Sequence, residues 1–198
     1  FSALLESSRE PVAAPFGEPG KVEQAIARNA LPFIPDGATI ETGLGALPDA
    51  VLRLLGDRKN LRIHSGSVGD GVVDLMQRSV VTRIDGGVLM GTRKLFDFAR
   101  ENPALHLRSI EYTHNPRMLA GIERFVAVNS AIEVDFTGQV NAEVAKGSYL
   151  GAVGGALDFV RAANQSPGKA QARGWSWSAI SPSSPACGNE SAACGCWS

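Results

Sequence analysis

An α/β fold, built as a mostly parallel sheet covered by helices and followed by an irregular C-terminal tail, is what this sequence predicts. Three observations carry that expectation. Apolar residues at helical spacing alternate with strand-like runs from Lys21 to Ala163, and such alternation implies parallel strands joined by helical crossovers. Glycine-rich loops follow several of the strand-like runs, where an open α/β sheet presents its ligands. Beyond residue 174 the composition changes abruptly, because all three Cys and all three Trp of the chain lie there, in a stretch without apolar period. With 198 residues and 44% apolar side chains, there is material for one sizeable core, which excludes collagen, coiled coil and wholesale disorder.

Taken in order, residues 1–19 carry Pro11, Pro15 and Pro19 after the apolar run Ala3-Leu4-Leu5, and read as a closing strand and a linker. The domain proper spans 20–163. Val22, Ala25, Ile26 and Ala30 fall at helical spacing, Ile34-Pro35-Asp36-Gly37 is a turn, and Ala38 to Thr42 is a strand. Leu47, Val51 and Leu54 mark a second helix with Pro48 in its first turn, a position where the missing N–H costs nothing. Leu61 to His64 reads as a strand, Val72 to Val80 as a helix, Gly87 to Met90 as a short strand and Leu95 to Ala99 as a helix that ends before Pro103. Leu105 to Glu111 is strand-like, a short helix follows Pro116, Arg124 to Val134 is strand-like again, and Ala156 to Ala163 is the last helix. Residues 164–198 are expected to be irregular, disordered or frame-shifted.

The charge balance narrows the partners. Lys and Arg number 19 against 20 Asp and Glu, with no block of like charge, so nothing supplies the phosphate attraction on which nucleic-acid binding depends. No nucleic acid and no membrane partner is expected, since no apolar run approaches the ~18–20 residues that span a bilayer. Cys187, Cys194 and Cys196 contain one C-x-C pair and no neighbouring His, which is not a zinc pattern. His106 and His114 have no third ligand at a metal-like offset, so no metal is expected. Without a disulfide framework, a reducing, cytoplasmic setting is the expectation.

Three loops qualify for chemistry. In Gly43-Leu44-Gly45-Ala46 the glycines either let backbone approach an anion at the next helix or merely permit a tight strand-to-helix turn. His64-Ser65-Gly66-Ser67-Val68-Gly69-Asp70-Gly71 joins a histidine to small hydroxyls at a strand end, where His64 is either a hydrogen-bonded structural residue or a base, with Asp70 in support. Gly154 and Gly155 precede the last helix and either offer backbone N–H groups to an oxyanion or allow close packing. Glu133 stands in an otherwise apolar strand and must find solvent or a polar partner, from which it could support a site.

Several ordered motifs carry a resemblance: Ile34-Pro35-Asp36-Gly37-Ala38-Thr39, Gly43-Leu44-Gly45-Ala46-Leu47-Pro48-Asp49, Asp70-Gly71-Val72-Val73-Asp74-Leu75 and Gly91-Thr92-Arg93-Lys94-Leu95-Phe96-Asp97-Phe98. Asn115-Pro116-Arg117, Asn129-Ser130-Ala131-Ile132-Glu133-Val134-Asp135 and Gly154-Gly155-Ala156-Leu157-Asp158-Phe159 follow in the same order. Over residues 20–163 the chain resembles the carboxyl-terminal half of the acetyl-CoA hydrolase/transferase family, which includes 4-hydroxybutyrate CoA-transferase. The resemblance implies a CoA-transferase-like fold (the NagB/RpiA/CoA-transferase type) and acyl transfer from a short-chain acyl-CoA to a small carboxylate or to water. It implies coenzyme A as a substrate, and a missing amino-terminal half as partner; homo-oligomerisation is left open. In that family a glutamate attacks the thioester, and glycine-loop N–H groups hold CoA and the oxyanion, so Gly43, Gly45, Gly154 and Gly155 become the CoA-binding candidates.

One departure from the family pattern bears on catalysis. Relatives resemble His-Thr-Glu, three residues, then Asp-Gly, which puts Gly66 where the nucleophilic glutamate stands. A glycine cannot attack a thioester. Glu41 is the nearest upstream carboxylate and a weak substitute. The competing expectation is a non-catalytic CoA-binding fragment. Resemblance also ends near Lys169, which suggests a change of reading frame there.

Overall fold

The computed structural model describes residues 5–137, 139–149, 154–167 and 177–179. Residues 5–20 form no helix or strand and are tethered by Glu10 to Arg93, by Glu18 to Arg53 and by the Ala14 N–H to the Gly91 carbonyl. The closing strand expected near Ala3-Leu4-Leu5 falls mostly outside the described residues. Helix α1 (Lys21–Ala30) buries Ala27 and Ala30 on one stripe and hands over at Pro32, which cannot continue it. Strand β1 (Thr39–Thr42), helix α2 (Ala46–Leu54), strand β2 (Leu61–Val68), helix α3 (Gly71–Gln77), strand β3 (Val81–Leu89), helix α4 (Arg93–Ala99) and strand β4 (Leu105–Leu107) then alternate. Two short helices, α5 (Ile110–Thr113) and α6 (Pro116–Ala120), lead to β5 (Phe125–Ala131). Two small hairpins follow, β6 (Glu133–Val134) with β7 (Val140–Asn141) and β8 (Val144–Ala145) with β9 (Ser148–Tyr149), then α7 (Ala156–Gln165) and β10 (Trp177–Ala179).

Among the described residues, the main sheet has six strands in the order β10-β5-β1-β2-β3-β4, and every pairing in it is parallel. The chain winds outward from β1 through β4, then returns to lay β5 on the other side of β1. That reversal makes the β1/β5 boundary the switch point where the following loops part in opposite directions, which is where such sheets bind ligands.

Register explains the two faces. Ile40 pairs with Ile63 and Val126, Ile63 with Ile84, and Ile84 with Leu105, an apolar row across five strands. It packs with Val51, Leu52, Val72, Leu75 and Leu95 of the helices in the larger core, each fully buried aliphatic contributing about 1.5–3 kcal/mol. One residue along each strand, the opposite face presents Ala127, Glu41, His64, Asp85 and His106. A smaller core of Leu119, Phe125, Phe159 and Ala162 closes this face under α6 and α7. The end of α7 is fastened there by Ser166, whose hydroxyl accepts the Phe125 N–H at 3.0 Å and donates to the Ile122 carbonyl at 2.6 Å.

Several boundaries differ from the sequence expectation, each for a physical reason. β2 does not stop at His64 but runs to Val68, because pairing with β3 outweighs the poor strand propensity of Ser65-Gly66-Ser67. Val80 does not belong to α3: the chain turns at Ser79, with φ of 58°, and the alternation from Val81 is strand. Leu105 to Glu111 is not one strand, since Ser109 takes an extended conformation and Ile110 opens a helical turn. The stretch 164–198 is not irregular throughout: α7 continues to Gln165, and Trp177–Ala179 pairs with Asn129–Ala131 as an added parallel strand. The cysteines of the tail lie outside the described residues.

Candidate active site

The site begins at the switch point. Glu41 lies on the polar face of β1, 3% exposed, and its carboxylate oxygen Oε2 accepts a hydrogen bond from Asn129 Nδ2 of β5 at 2.7 Å. Burial pushes its pKa up to about 8, against the smaller opposing pull of the Asn129 amide and the Val128 backbone. Two residues on, Gly43 leaves the sheet with its N–H donated to the Val128 carbonyl, and a Cβ there would sit 3.3 Å from Asn129 Oδ1. Gly45 has φ of 125°, a conformation that a side chain would strain, and opens α2 as its N-cap.

Beside β1, the Ser65 hydroxyl donates to the Thr42 carbonyl at 2.9 Å, so Gly43 and Gly66 lie at the same level of the sheet. His64 is 4% exposed and its Nε2–H donates to the Thr113 carbonyl at 3.0 Å. Burial lowers its pKa despite the Thr113 bond and the nearby Asp85 charge, which keeps the ring neutral. Gly66 is where the second strand meets α5 and α7: a Cβ there would point at His114, 2.9 Å from Cε1 and 3.1 Å from Nε2, and at Phe159, 3.5 Å away. A Cβ on Gly155, the N-cap of α7, would overlap the same His114 ring and meet Phe159 at 3.0 Å. The loop after β2 and the loop before α7 therefore converge on one imidazole. Leu44, between the two glycines of the first loop, comes within 3.4 Å of a Cβ built on Gly69, so that loop borders the same end of β2. At the start of α7 the Asp158 and Phe159 amides bond back to the Gly155 carbonyl, and the amides before them have no acceptor within the helix.

Two of the remaining expected residues, Asp70 and Glu133, serve elsewhere. Asp70 accepts hydrogen bonds from the Thr92 N–H at 3.1 and 3.0 Å and from the Thr92 hydroxyl at 3.0 Å, which fixes the start of α4. Glu133 is exposed in the β6–β7 hairpin and accepts from Asn141 Nδ2 at 3.0 Å, so solvent and a hairpin partner satisfy it. Gly154 is exposed, and a side chain there meets no described atom within 4 Å. At the far end of the polar row, burial works against the charge of Asp85, but the guanidiniums of Arg83 and Arg108 outweigh it and hold the carboxyl below its ordinary range. His114 is the residue the sequence reading missed in this role. The available signal was Asn115-Pro116, an N-cap and N1 pair that ends one helix and starts the next, and so fixes where the preceding side chain is delivered.

Comparison with known proteins fits this geometry. The family model of the acetyl-CoA hydrolase/transferase C-terminal domain matches residues 91–178. The chain carries this domain. It is similar to a 4-hydroxybutyrate coenzyme A transferase of Clostridium kluyveri, 41% identical over 158 residues that cover 75% of this chain and 37% of the relative. It is also similar to a succinyl-CoA:acetate/propanoyl-CoA:succinate CoA transferase of Fasciola hepatica, 38% identical over 152 residues, 72% of this chain and 31% of the relative. Among solved structures, RipA from Yersinia pestis superposes with a TM-score of 0.74 at 32% identity, over 78% of this chain and 37% of that one. A 4-hydroxybutyrate CoA-transferase from Porphyromonas gingivalis gives 0.68 at 30% identity, over 79% and 39%. The chain thus spans well under half the length of these relatives. The match of the acetyl-CoA hydrolase/transferase C-terminal domain extends past Lys169, where the sequence reading placed the end of the resemblance, and reaches β10.

Proposed function

We propose that the chain supplies the carboxyl-terminal part of an enzyme that transfers or hydrolyses the acyl group of a short-chain acyl-CoA, of the acetyl or 4-hydroxybutyryl type. Coenzyme A is bound as a substrate, the second substrate is a small carboxylate or water, and the setting is cytoplasmic. The observation that carries this reading is the convergence of Gly66 and Gly155 on His114 at the carboxyl end of the sheet, beside Gly43. There the bare backbones of Gly43, Gly45, Gly154 and Gly155 leave room for a pantetheine arm, and the amides at Gly45 and Gly155, where α2 and α7 open, offer N–H groups to the thioester oxygen. Glu41 supports the site through Asn129 rather than reaching a thioester, because its carboxyl is enclosed. An amino-terminal partner half completes the transferase in this reading, consistent with the share of each relative that the chain spans.

A second reading, a CoA-binding unit without turnover, is favoured by one observation: no carboxylate stands at position 66. Incubation of the chain with acetyl-CoA, with and without labelled acetate, separates the two. Release of CoA, or exchange of label into acetyl-CoA, supports the enzyme; binding with neither leaves the binding unit.

A further inference from the structure

The side chain absent at Gly66 leaves a direction, and His114 lies along it. A Cβ on Gly66 would come within 3.1 Å of His114 Nε2, so the imidazole occupies the space into which a longer side chain at this position would grow. The ring is held from behind. Thr113 is fully buried, and its Oγ1 lies 3.4 Å from the Ser109 carbonyl and 2.9 Å from His114 Nδ1; when the hydroxyl donates to Ser109, Oγ1 accepts the Nδ1–H of His114. The lone pair is then on Nε2, on the side of Gly66 and Gly155. Phe159 packs against the ring at 4.7 Å between centroids and fixes its tilt. His64 holds the carbonyl of the same Thr113, so both histidines brace one residue while only His114, half-buried and beside the exposed Gly154, meets the site.

We propose that His114 is the general base of a hydrolytic site on this chain. The proposal rests on the reading above, that an acyl thioester enters here. His114 Nε2 removes a proton from water, whose oxygen forms a bond to the thioester carbonyl carbon. The carbon–sulfur bond then breaks and the departing thiolate takes the proton back from the imidazolium. The products are a carboxylic acid and CoA with a free thiol, and neither a covalent enzyme intermediate nor an acceptor carboxylate is needed.

The test uses the full 198-residue chain with acetyl-CoA. Bound acetyl-CoA is measured by calorimetry, and released CoA is separated chromatographically so that the three cysteines of the chain do not interfere. We expect binding, CoA release without added acetate, and one oxygen-18 atom in the acetate formed in labelled water. His114→Ala should lower the release rate by about 10²–10⁴-fold while binding is kept. Free imidazole should restore part of that rate, because Gly66 and Gly155 leave the vacated space open. His114→Gln, which fills the space without a base, should stay slow with or without imidazole. Binding without release, an undiminished rate in both variants, or loss in His114→Ala without rescue overturns the general base and leaves the thioester site standing. Failure of acetyl-CoA to bind the unaltered chain overturns the underlying site itself.

Discussion

Glu41 offers a quantitative handle on the polar face of the sheet. Replacing it by Gln keeps the shape and the acceptor for Asn129 Nδ2 but removes the titrating proton. In the folded chain the Glu41 pKa is raised from an ordinary 4.5 to about 8, chiefly by burial. The folded state therefore holds this proton more tightly than the unfolded state, and the contribution to stability is fully present below about pH 4.5, then declines as pH rises toward the folded value. The slope is about 1.4 kcal/mol per pH unit, which accumulates to roughly 3 kcal/mol by neutral pH and on the order of 5 kcal/mol above pH 8. Glu41→Gln lacks this loss. Urea unfolding of both forms, from pH 5 to 9, should give midpoints that separate progressively, the variant becoming the more stable by about 1–2 M urea at the alkaline end. A difference that stays constant with pH would refute the argument, because it would mean that Glu41 is ionised in the folded chain throughout.

Two further substitutions probe the packing around the site. Gly66→Glu drives a Cβ to 2.9 Å from His114 Cε1, and overpacking of this kind costs about 1–3 kcal/mol; Gly66→Glu with His114→Ala should recover most of that loss in thermal unfolding. Asp70→Asn weakens a carboxylate that accepts from both the N–H and the hydroxyl of Thr92, and should cost about 1–2 kcal/mol, with amide exchange accelerated first in α4.

Much of the architecture is legible from periodicity. The starts of α1, α2 and α7 and the strand character of β1 and β5 follow from apolar spacing with Pro48 and the flanking glycines. What escaped has a tertiary cause. Ser65-Gly66-Ser67 carries no strand signal of its own, and only its neighbours hold it in the sheet. Val80 is drawn into a helix and the first half of β3 goes unread, because the turn at Ser79 rests on a positive φ that serine does not announce. The hairpins β6 to β9 are two residues per strand, too short for any period to register. At the site, the glycines were visible as loops, but their convergence was not. His114 lies 48 positions from Gly66 and 41 from Gly155 along the chain, and only folding β4, α5 and α7 onto one sheet face brings the three together.

The central claim is that the glycine-lined carboxyl edge receives an acyl-CoA. Gly154→Val tests it most directly, because a side chain there meets no described atom within 4 Å and should leave the fold intact. Calorimetric titration of acetyl-CoA into the unaltered chain and into this variant, with thermal unfolding as the control, should show binding that weakens by at least about tenfold, or 1.4 kcal/mol, at unchanged stability. Equal affinity in the two proteins, or no binding to the unaltered chain, would contradict the account.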